Sequence, residues 1–568
     1  MSHSEEIIES HDAGIPKWPG WLAAAFLIAW QLDTMSRGIR WFDTGEFALV
    51  ATQFGLGHPP GQPLYTVLLG LAARIPGVEP LFAMNAVSAI FAGLCAVPAD
   101  LLLRRASPAG PWTRFIALLS VGFLFPLWDQ GTRIELYAPA TFLSLGIVAY
   151  GAFLIDGGVL KTRAWAILGL FLGVLAGFNV IFAIGAAFAV ASQAIISLGG
   201  GQITQTFKPI IATVIGGLLG CSHYGYLFWV RGQTDRMIWG ELENWDGILA
   251  YLTGSDYGHT AHTAISSVPV NVWSWLGWFG DGGGWLMLLA GAAGIHSSDW
   301  VRKRIFLWVV PMLTGVLFTF TYGVFFPEVP DYSGYLAPGL WWLAPGIAAL
   351  FTNKLAKYRR PGLAIIFGWS FMFGPADVGK ERARDTLSTD LAKTWLESIP
   401  KDGILIVESD HLVFPLMYVQ EVEGLRRDVV LINAGFGASA WYWRHLRRLH
   451  PELSDFSLAA PTTGHRLRNF LLAHLDRTAR VESISLAGMV GIRPCPDTWG
   501  FTLGPACAQV EDRPKVFAEQ MSTWWAGPAG RESMSLRVLS WLARKRAVGQ
   551  WMLGDASGAL TSLIYGGP

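Results

Sequence analysis

The chain has 568 residues, of which 52% are hydrophobic and only 15% are charged, and its formal net charge is zero. This composition excludes an ordinary soluble globule, and the balanced charge gives no indication of a nucleic-acid partner. The 27 tryptophans and 33 phenylalanines suit the aromatic belts of a membrane protein. The polar, acidic N-terminus carries no cleavable signal pattern, so we expect the first apolar span to insert the chain into the bilayer.

Apolar segments long enough to cross a bilayer recur along residues 1–375, which we predict to be the transmembrane domain. We count eleven spans, although the stretch 164–198 also fits one long tilted helix plus a re-entrant segment. The predicted spans are 19–35, 80–103, 113–129, 136–156, 164–179, 181–198, 209–230, 270–294, 305–326, 335–353 and 361–375.

The distribution of basic residues predicts the orientation of these spans, because cytoplasmic loops are enriched in Lys and Arg. One set of alternate loops carries Arg104, Arg105, Arg114, Lys161, Arg163, Lys208, Arg302, Lys303, Arg304, Lys354, Lys357, Arg359 and Arg360. The opposite set carries only Arg37, Arg40, Arg74, Arg133, Arg231 and Arg236. Thirteen basic residues against six predict a cytoplasmic N-terminus, and an odd number of spans then places residues 376–568 outside.

Residues 376–568 form a second predicted domain, in which the charged fraction rises and no segment is long enough to span. GILIVES (403–409) and RRDVVLINAG (426–435) are predicted as short strands on either side of a helix at 411–425. A strand–helix–strand unit implies a parallel pair, and therefore an α/β domain. Further helical pieces are predicted at 439–450, 464–478 and 532–546.

The four cysteines divide between the two domains. Cys95 and Cys221 fall inside apolar spans, where packing is the simplest role. Cys495 and Cys507 bracket a loop rich in Gly and Pro in the outer domain, and on an oxidising side of the membrane they are predicted to form a disulfide. Two thiols without a nearby histidine do not make a zinc site.

The first outer loop, residues 36–80, contains the strongest candidate for a catalytic segment. Asp43 and Glu46 are three residues apart, which places them on one face of a helix. His58 follows, with two prolines and a glycine that end or bend a helix. Two carboxylates fixed by such a corner suit a catalytic loop, although solvated juxtamembrane loops also carry acids routinely.

Other polar and aromatic residues lie where later spans meet the outer side. They are Arg133, Glu135, Tyr137, Arg231, Asp331 and Tyr335. An acid at the entrance of a span, such as Glu135, is either a functional group or a helix-capping one. Arg231 could form two hydrogen bonds to a phosphate, or it could extend to lipid head groups.

Several of these motifs together resemble one known family. The D-x-x-E pair followed by HPPGQPLY (58–65) is similar to the signature of glycosyltransferase family 117, which includes eukaryotic transmembrane protein O-mannosyltransferases and bacterial relatives. IELYAP (134–139) looks like the family's E-V-Y-A segment, and 409–433 resembles the bacterial extracytoplasmic domain. The resemblance covers nearly the whole length. The sequence departs from the pattern at Phe178-Asn179, where a pair of asparagine or histidine is expected, and at Arg231, which lacks the preceding proline.

The resemblance implies the GT-C fold, that is, a polytopic α-helical membrane protein, here with a C-terminal extracytoplasmic α/β domain. It also implies inverting transfer of a sugar, with mannose as one candidate, from a polyprenyl-phosphate donor to an extracytoplasmic protein, lipid or glycan in the bacterial inner membrane. Asp43 is then the expected base, and Glu46 is expected to orient the loop, the acceptor or a bound cation. His58 and Tyr65 belong to the same signature and are expected to bind donor or acceptor, as are the six residues at the other span ends.

No cofactor is assigned, but Asp43, Glu46 and His58 are all suitable ligands for a divalent cation, and GT-C relatives differ in metal dependence. Two other classes of function stay open. A transporter or flippase would need charged residues near the bilayer midplane and paired broken helices, whereas here the acids gather at one face. An inactive membrane part carrying an envelope-binding module would keep its activity without Asp43 and Glu46.

Overall fold

A computed structural model describes residues 16–198, 203–233, 235–255, 268–281, 284–321, 330–373, 379–453, 462–509, 514–530 and 533–565. Within these ranges the chain is mainly helical, with a small sheet in its C-terminal part. The predicted domain boundary at 375/376 lies outside the described residues.

Helices occupy every position where a span is predicted, and at 164–198 two separate helices replace the alternative of one tilted helix. Asn179 separates these two, and its side chain accepts a hydrogen bond from the backbone N–H of Phe182 (3.0 Å), which caps the second helix. The helices up to residue 373 are Trp18–Thr34, Asp43–Gln53, Pro63–Ala72, Pro80–Leu94, Ala96–Ala106, Pro111–Gly122, Phe125–Gly131, Tyr137–Asp156, Thr162–Ala176, Val180–Leu198, Ile203–Gly220, Gly225–Val230, Trp245–Thr253, Val268–Asp281, Gly284–Ser297, Asp299–Lys303, Phe306–Thr321, Pro330–Gly334, Ala337–Leu340, Leu343–Thr352 and Arg359–Phe373.

Among the described residues, four helical segments are long and apolar enough to cross a membrane. They are Pro80–Ala106, Tyr137–Asp156, Val180–Ser197 and Phe207–Val230. The helices Pro111–Gly122 and Phe125–Gly131, bent by 72°, make a fifth if they count as one span. Several shorter apolar helices accompany them, so the total of eleven crossings stays a prediction.

Small residues let two of the membrane helices approach each other closely. A Cβ at Gly169 would lie 2.0 Å from the carbonyl oxygen of Thr213, and one at Gly216 would lie 2.0 Å from that of Ala166. No side chain fits at either position. Helices Thr162–Ala176 and Ile203–Gly220 therefore pack backbone against backbone, as is common where lipid supplies no hydrophobic driving force between helices.

The C-terminal part is built on a five-stranded mixed sheet, in agreement with the predicted α/β domain. In chain order the strands are β1 Ile404–Val407, β2 Val430–Asn433, β3 Ala479–Val481, β4 Pro494–Pro496 and β5 Phe501–Leu503. Their order in the sheet is β2-β1-β3-β5-β4, with β1 parallel to β2 and β3, and β5 antiparallel to β3 and β4. The predicted strand–helix–strand unit is confirmed as β1, helix Asp410–Glu421 and β2.

Nine helices of the described C-terminal residues surround this sheet. They are Gly379–Arg384, Leu387–Ser398, Asp410–Glu421, Ala440–Leu449, Thr463–Ala473, Ile484–Val490, Pro514–Ala526, Ser533–Met552 and Ala556–Tyr565. Cys495 of β4 is bonded to Cys507, with their Cα atoms 5.7 Å apart. Their disulfide ties the last strands to the segment that follows them.

The first outer loop and the C-terminal part are joined by buried polar contacts. Arg40 pairs with Asp385 at 2.6 Å, and both side chains are almost fully buried. The indole N–H of Trp41 donates to Ser535 (3.0 Å), and the hydroxyl of Ser388 donates to the carbonyl of Ile39 (2.5 Å). Leaving such buried groups unpaired is costly, so these contacts hold the loop against the C-terminal part.

Candidate active site

The first two candidate acids lie on the helix Asp43–Gln53, which we call the loop helix. They occupy its first turn, where the positive end of the helix dipole stabilises negative charge. The preceding residue, Phe42, has φ 60° and ψ −140°, a conformation that residues with a side chain rarely adopt. Such strain persists only where the surrounding structure imposes it, and here it sets the direction in which the chain enters the helix.

Glu46 holds the corner that follows the loop helix. One carboxylate oxygen of Glu46 accepts the backbone N–H of His58 (2.6 Å), and the other bonds to the ring Nδ1 of His58 (2.9 Å). The next peptide bond, Pro59–Pro60, is cis, and Gly61 has a φ of 72°. The prediction that Glu46 orients the loop fits this arrangement, because Glu46 bonds the turn from within the same segment.

The corner is also fastened from a distant loop. Leu56 pairs with Ile238 in an isolated parallel bridge, and the hydroxyl of Tyr251 donates to the carbonyl of Gly57 (2.6 Å). The ring of Trp239 lies 6.1 Å from that of His58. The segment 238–251 therefore packs around the HPPG turn.

A second group of charges is organised by Arg133, which is 2% exposed. Its guanidinium donates to Glu135 (2.9 Å), to Asp331 (2.8 Å) and to the side-chain oxygen of Gln130 (2.9 Å). Glu135 also accepts a hydrogen bond from the backbone N–H of Leu136 (3.2 Å). One buried arginine thus fixes two carboxylates that are almost 200 residues apart in sequence.

Asp43 connects the two groups. Its carboxylate lies within 4.8 Å of ligand atoms of Glu46 and His58, and within the same distance of ligand atoms of Glu135 and Asp331. The predicted acids of the first loop, the second outer loop and the segment before the tenth span therefore meet in one place. Asp43 is their shared member.

Burial raises the pKa of Asp43 well above its ordinary value. The charge of His58 opposes this rise, whereas the charges of Asp331, Glu46 and Asp410 add to it. A carboxylate with an elevated pKa is a stronger proton acceptor once it is ionised. Asp43 therefore combines the central position among the predicted site residues with a raised pKa.

Burial lowers the pKa of His58, but the charge and hydrogen bond of Glu46, together with the charges of Asp43 and Glu135, outweigh burial and raise it to about 10. His58 is therefore an imidazolium cation at neutral pH, and it does not serve as a base there. Its second ring nitrogen lies 3.5 Å from the amide nitrogen of Gln62. The histidine contributes positive charge beside Asp43.

Either group around Asp43 offers suitable ligands for a divalent cation. Each group, however, already contains a cation of the protein. His58 contacts Glu46, and Arg133 contacts both Glu135 and Asp331. A metal ion bound by either complete trio would have to displace these contacts.

The other predicted residues differ in their position relative to the acids around Asp43. Tyr137 and Tyr335 stack edge to face at 5.0 Å beside the Arg133 group. Tyr65 has no exposed surface and packs edge-on against Phe47 (5.3 Å), so in this structure it supports the loop helix from behind. Arg231 is exposed, with its guanidinium over the ring of Phe228 at 5.1 Å, and within the described residues no hydrogen bond or ion pair joins it to the acids.

Three residues near the site escape prediction from sequence. Asp129 bonds to Arg382 (2.6 Å) and lies 3.5 Å from Arg133, which extends the charge network into the C-terminal part. Asp410, at the start of the helix Asp410–Glu421, acts electrostatically on Asp43. Asp410 lies in the segment 409–433 that resembles the family, but sequence spacing does not indicate that either Asp129 or Asp410 belongs to the surroundings of Asp43.

Two family models match parts of the chain. The "Protein O-mannosyl-transferase TMEM260 N-terminal domain" matches residues 43–197, and "TMEM260-associated domain 2" matches residues 388–460. The curated mouse protein "Protein O-mannosyl-transferase TMEM260" is 22% identical over an alignment of 474 positions that covers 73% of this chain. The match spans 63% of the length of the mouse protein.

The chain is also similar to solved structures of membrane proteins. ArnT from Cupriavidus metallidurans, bound to undecaprenyl phosphate, superimposes with a TM-score of 0.50 at 11% identity, over 87% of this chain and 98% of ArnT. The archaeal oligosaccharyltransferase AglB from Archaeoglobus fulgidus, in complex with an inhibitory peptide and a dolichol-phosphate, gives a TM-score of 0.39 at 12% identity, over 71% of this chain and 63% of AglB. The expected GT-C fold is confirmed by the likeness to ArnT.

Proposed function

We propose that this multi-pass membrane protein, which has the GT-C fold and an O-mannosyltransferase-like sequence, transfers a sugar from a polyprenyl-phosphate donor to a hydroxyl group of an extracytoplasmic protein. Mannose is the candidate sugar. The observation that carries the proposal is the meeting of the D-x-x-E helix, the HPPG turn and the Arg133 group around one carboxylate, that of Asp43. The similarity to TMEM260 supports the protein acceptor, and the lipid bound to ArnT supports the donor class.

The proposed reaction requires a base but no activation of the leaving group beyond charge stabilisation. The acceptor hydroxyl attacks the anomeric carbon from the face opposite the phosphate and forms the new C–O bond. The bond to the phosphate oxygen breaks, and polyprenyl phosphate departs with the electron pair. Asp43 takes the hydroxyl proton as the bond forms. Because the attack comes from the face opposite the phosphate, the configuration at the anomeric carbon is inverted.

The remaining residues have supporting roles in this mechanism. Glu46 holds the turn that carries His58, and the cationic ring of His58 favours negative charge that develops on the departing phosphate. Arg133 holds Glu135 and Asp331, whose carboxylates are available to sugar or acceptor hydroxyls on the other side of Asp43. Arg231 stays a predicted contact for the donor phosphate.

The substitution Asp43→Asn tests the role of the base, since it keeps the shape of the side chain and removes its basicity. We expect turnover to fall by at least about 100-fold while folding and donor binding stay intact. The matched control is Asp246→Asn, an exposed acid in the first turn of another outer-loop helix. If Asp43→Asn transfers sugar at the wild-type rate while Glu135→Gln does not, then Glu135 is the base.

The proposed orientation in a bacterial cytoplasmic membrane places the N-terminus inside and residues 376–568 outside. The excess of basic residues in alternate loops supports it, and so does the paired Cys495 and Cys507, because disulfides persist in oxidising compartments. An alkaline phosphatase fused after Pro568 is expected to be active. Activity only of a cytoplasmic reporter at that position would contradict the orientation and the location of the site.

A further inference from the structure

One acid of the C-terminal part, Asp410, acts electrostatically on Asp43 but has no role in the proposed mechanism. Asp410 is the first residue of the helix Asp410–Glu421, which we call the cover helix. Its side chain is exposed and, within the described parts of the chain, makes no hydrogen bond or ion pair. The charges of Glu46, His58 and Asp331 all act on it. Asp410 thus faces the same space as Asp43 without a partner of its own.

Close packing of two helices determines where Asp410 lies. A Cβ at Gly45 would be 2.7 Å from the carbonyl carbon of Phe414, so the loop helix touches the backbone of the cover helix. Three residues earlier on the cover helix, the ring of His411 lies 5.7 Å from that of Phe42, the residue before the loop helix. Both contacts lie near the N-terminal ends of their helices. The N-terminal ends of the two helices, which carry Asp43 and Asp410, are therefore side by side.

The short connection between β1 and the cover helix is held by a buried acid. The carboxylate of Glu482 accepts the backbone N–H groups of Glu408 (2.8 Å) and Ser409 (3.0 Å). Glu482 is 3% exposed, and Lys545 and the hydroxyl of Ser409 both donate to it. The residue before Asp410 is thus fixed by three hydrogen bonds to buried or partly buried partners. This rigidity suits a side chain that positions a substrate.

The cation whose charge acts on Asp410, the ring of His58, is already paired with Glu46. Burial lowers the pKa of the adjacent His411 to about 4, although the charge of Glu482 opposes that, so His411 is neutral at physiological pH. Lys545 is engaged by Glu482 and Glu408. An exposed carboxylate that lies near other acids and lacks a hydrogen-bond donor is suited to accept one from a ligand.

We propose that Asp410 binds the acceptor polypeptide, by accepting a hydrogen bond from an N–H or O–H group next to the hydroxyl that is glycosylated. This inference rests on the proposed function and extends it, since it makes the C-terminal domain a part of the acceptor site. The acceptor segment then lies across the N-terminal ends of the loop helix and the cover helix, which carry Asp43 and Asp410. Its reacting hydroxyl faces Asp43, while the donor approaches from the membrane.

A structural role is the competing explanation, because an acid in the first turn of a helix stabilises the helix dipole. Two substitutions separate the explanations. Asp410→Asn removes the negative charge, on which both explanations depend. Asp410→Glu keeps the charge at the helix end but displaces the carboxylate by one methylene. If Asp410 acts only on the helix, the Glu variant keeps the wild-type KM for the acceptor.

The experiment uses the full-length protein in nanodiscs, with polyprenyl-phosphate mannose as donor and a synthetic Ser/Thr-containing peptide as acceptor. For Asp410→Asn we expect the acceptor KM to rise about 10- to 100-fold, as for loss of a charge-assisted hydrogen bond, with donor KM and kcat within about twofold of wild type. Asp410→Glu is expected to give a smaller rise. The control Asp390→Asn, an exposed acid in the first turn of a neighbouring helix, is expected to change nothing.

Each other outcome has a distinct meaning. An unchanged acceptor KM in both Asp410 variants overturns the inference while leaving the proposed function in place. A loss of kcat or of donor affinity in both variants, with a normal thermal midpoint, also overturns it, because Asp410 would then act on the chemistry or on the donor. Wild-type protein that transfers no sugar to any peptide, and behaves like Asp43→Asn, refutes the proposed acceptor class itself.

Discussion

The ion pair of Glu46 and His58 is expected to stabilise the folded protein, and the size of this effect follows from the pKa of His58. Glu46 is 1% exposed, and both of its oxygens bond to His58, one to the backbone and one to the ring. The substitution Glu46→Gln keeps the volume and one acceptor oxygen but removes the negative charge. The cationic ring of His58 would then lose its main partner in a buried environment.

The magnitude follows from the pKa of His58, which rises from 6.5 to about 10 in the folded protein. At about 1.4 kcal/mol for each pKa unit, this rise corresponds to about 5 kcal/mol of preference for the charged ring in the folded state. The charges of Asp43 and Glu135 also contribute to the rise. We therefore expect Glu46→Gln to lower the unfolding free energy by about 2–4 kcal/mol at pH 6.

The sign of the pH dependence is determined by the direction of the shift. Because the folded-state pKa of His58 lies above the unfolded one, its stabilising contribution is complete below pH 6.5 and disappears as the pH rises through about 10. In Glu46→Gln, burial of the ring has no Glu46 charge to oppose it, so the pKa of His58 falls. The stability difference between wild type and variant should therefore shrink steadily from pH 6 to pH 10.

Two measurements check this reasoning. Denaturant titrations in detergent at pH 6, 8 and 10 give the stability difference, and NMR of the His58 ring carbon gives its pKa directly. The control Glu243→Gln removes an acid that is 67% exposed and lies 3.2 Å from Arg444. It should cost less than about 1 kcal/mol at every pH. A wild-type His58 that titrates near 6.5, or a stability difference independent of pH, would refute the argument.

Two further predictions concern the contacts around the site and the outer domain. Arg133→Met leaves the buried Glu135 and the partly buried Asp331 without their shared cation and should lower the unfolding free energy by about 3–5 kcal/mol, whereas Arg133→Lys should recover part of that loss. Thermal unfolding of both variants checks this, and wild-type stability of Arg133→Met would be the contrary result. Reduction of Cys495–Cys507, which are 12 residues apart, should destabilise the outer domain by about 3 kcal/mol, and mass spectrometry of unreduced protein that finds both thiols free would contradict the pairing.

Local patterns were sufficient for the parts of the molecule whose contacts are close in sequence. The three-residue spacing of Asp43 and Glu46 predicts one helical face, and the prolines after His58 predict the turn, because both depend on backbone geometry over a few residues. Hydrophobic runs likewise predict the helices of the membrane part. The two β-branched strands around an amphipathic segment predict the parallel pair β1 and β2.

Long-range contacts were decided only by the tertiary structure. Asp410 reaches the site because Gly45 lets the loop helix touch the cover helix, and nothing in either local sequence encodes that approach across more than 360 residues. In the same way Arg133, which by spacing alone is one basic residue of an outer loop, becomes the cation that joins Glu135 to Asp331. Charge, burial and pKa depend on which groups share a cavity. The sequence therefore determined which acidic and basic side chains this protein has. Folding determined that the carboxylate of Asp43 lies at the centre of the group they form.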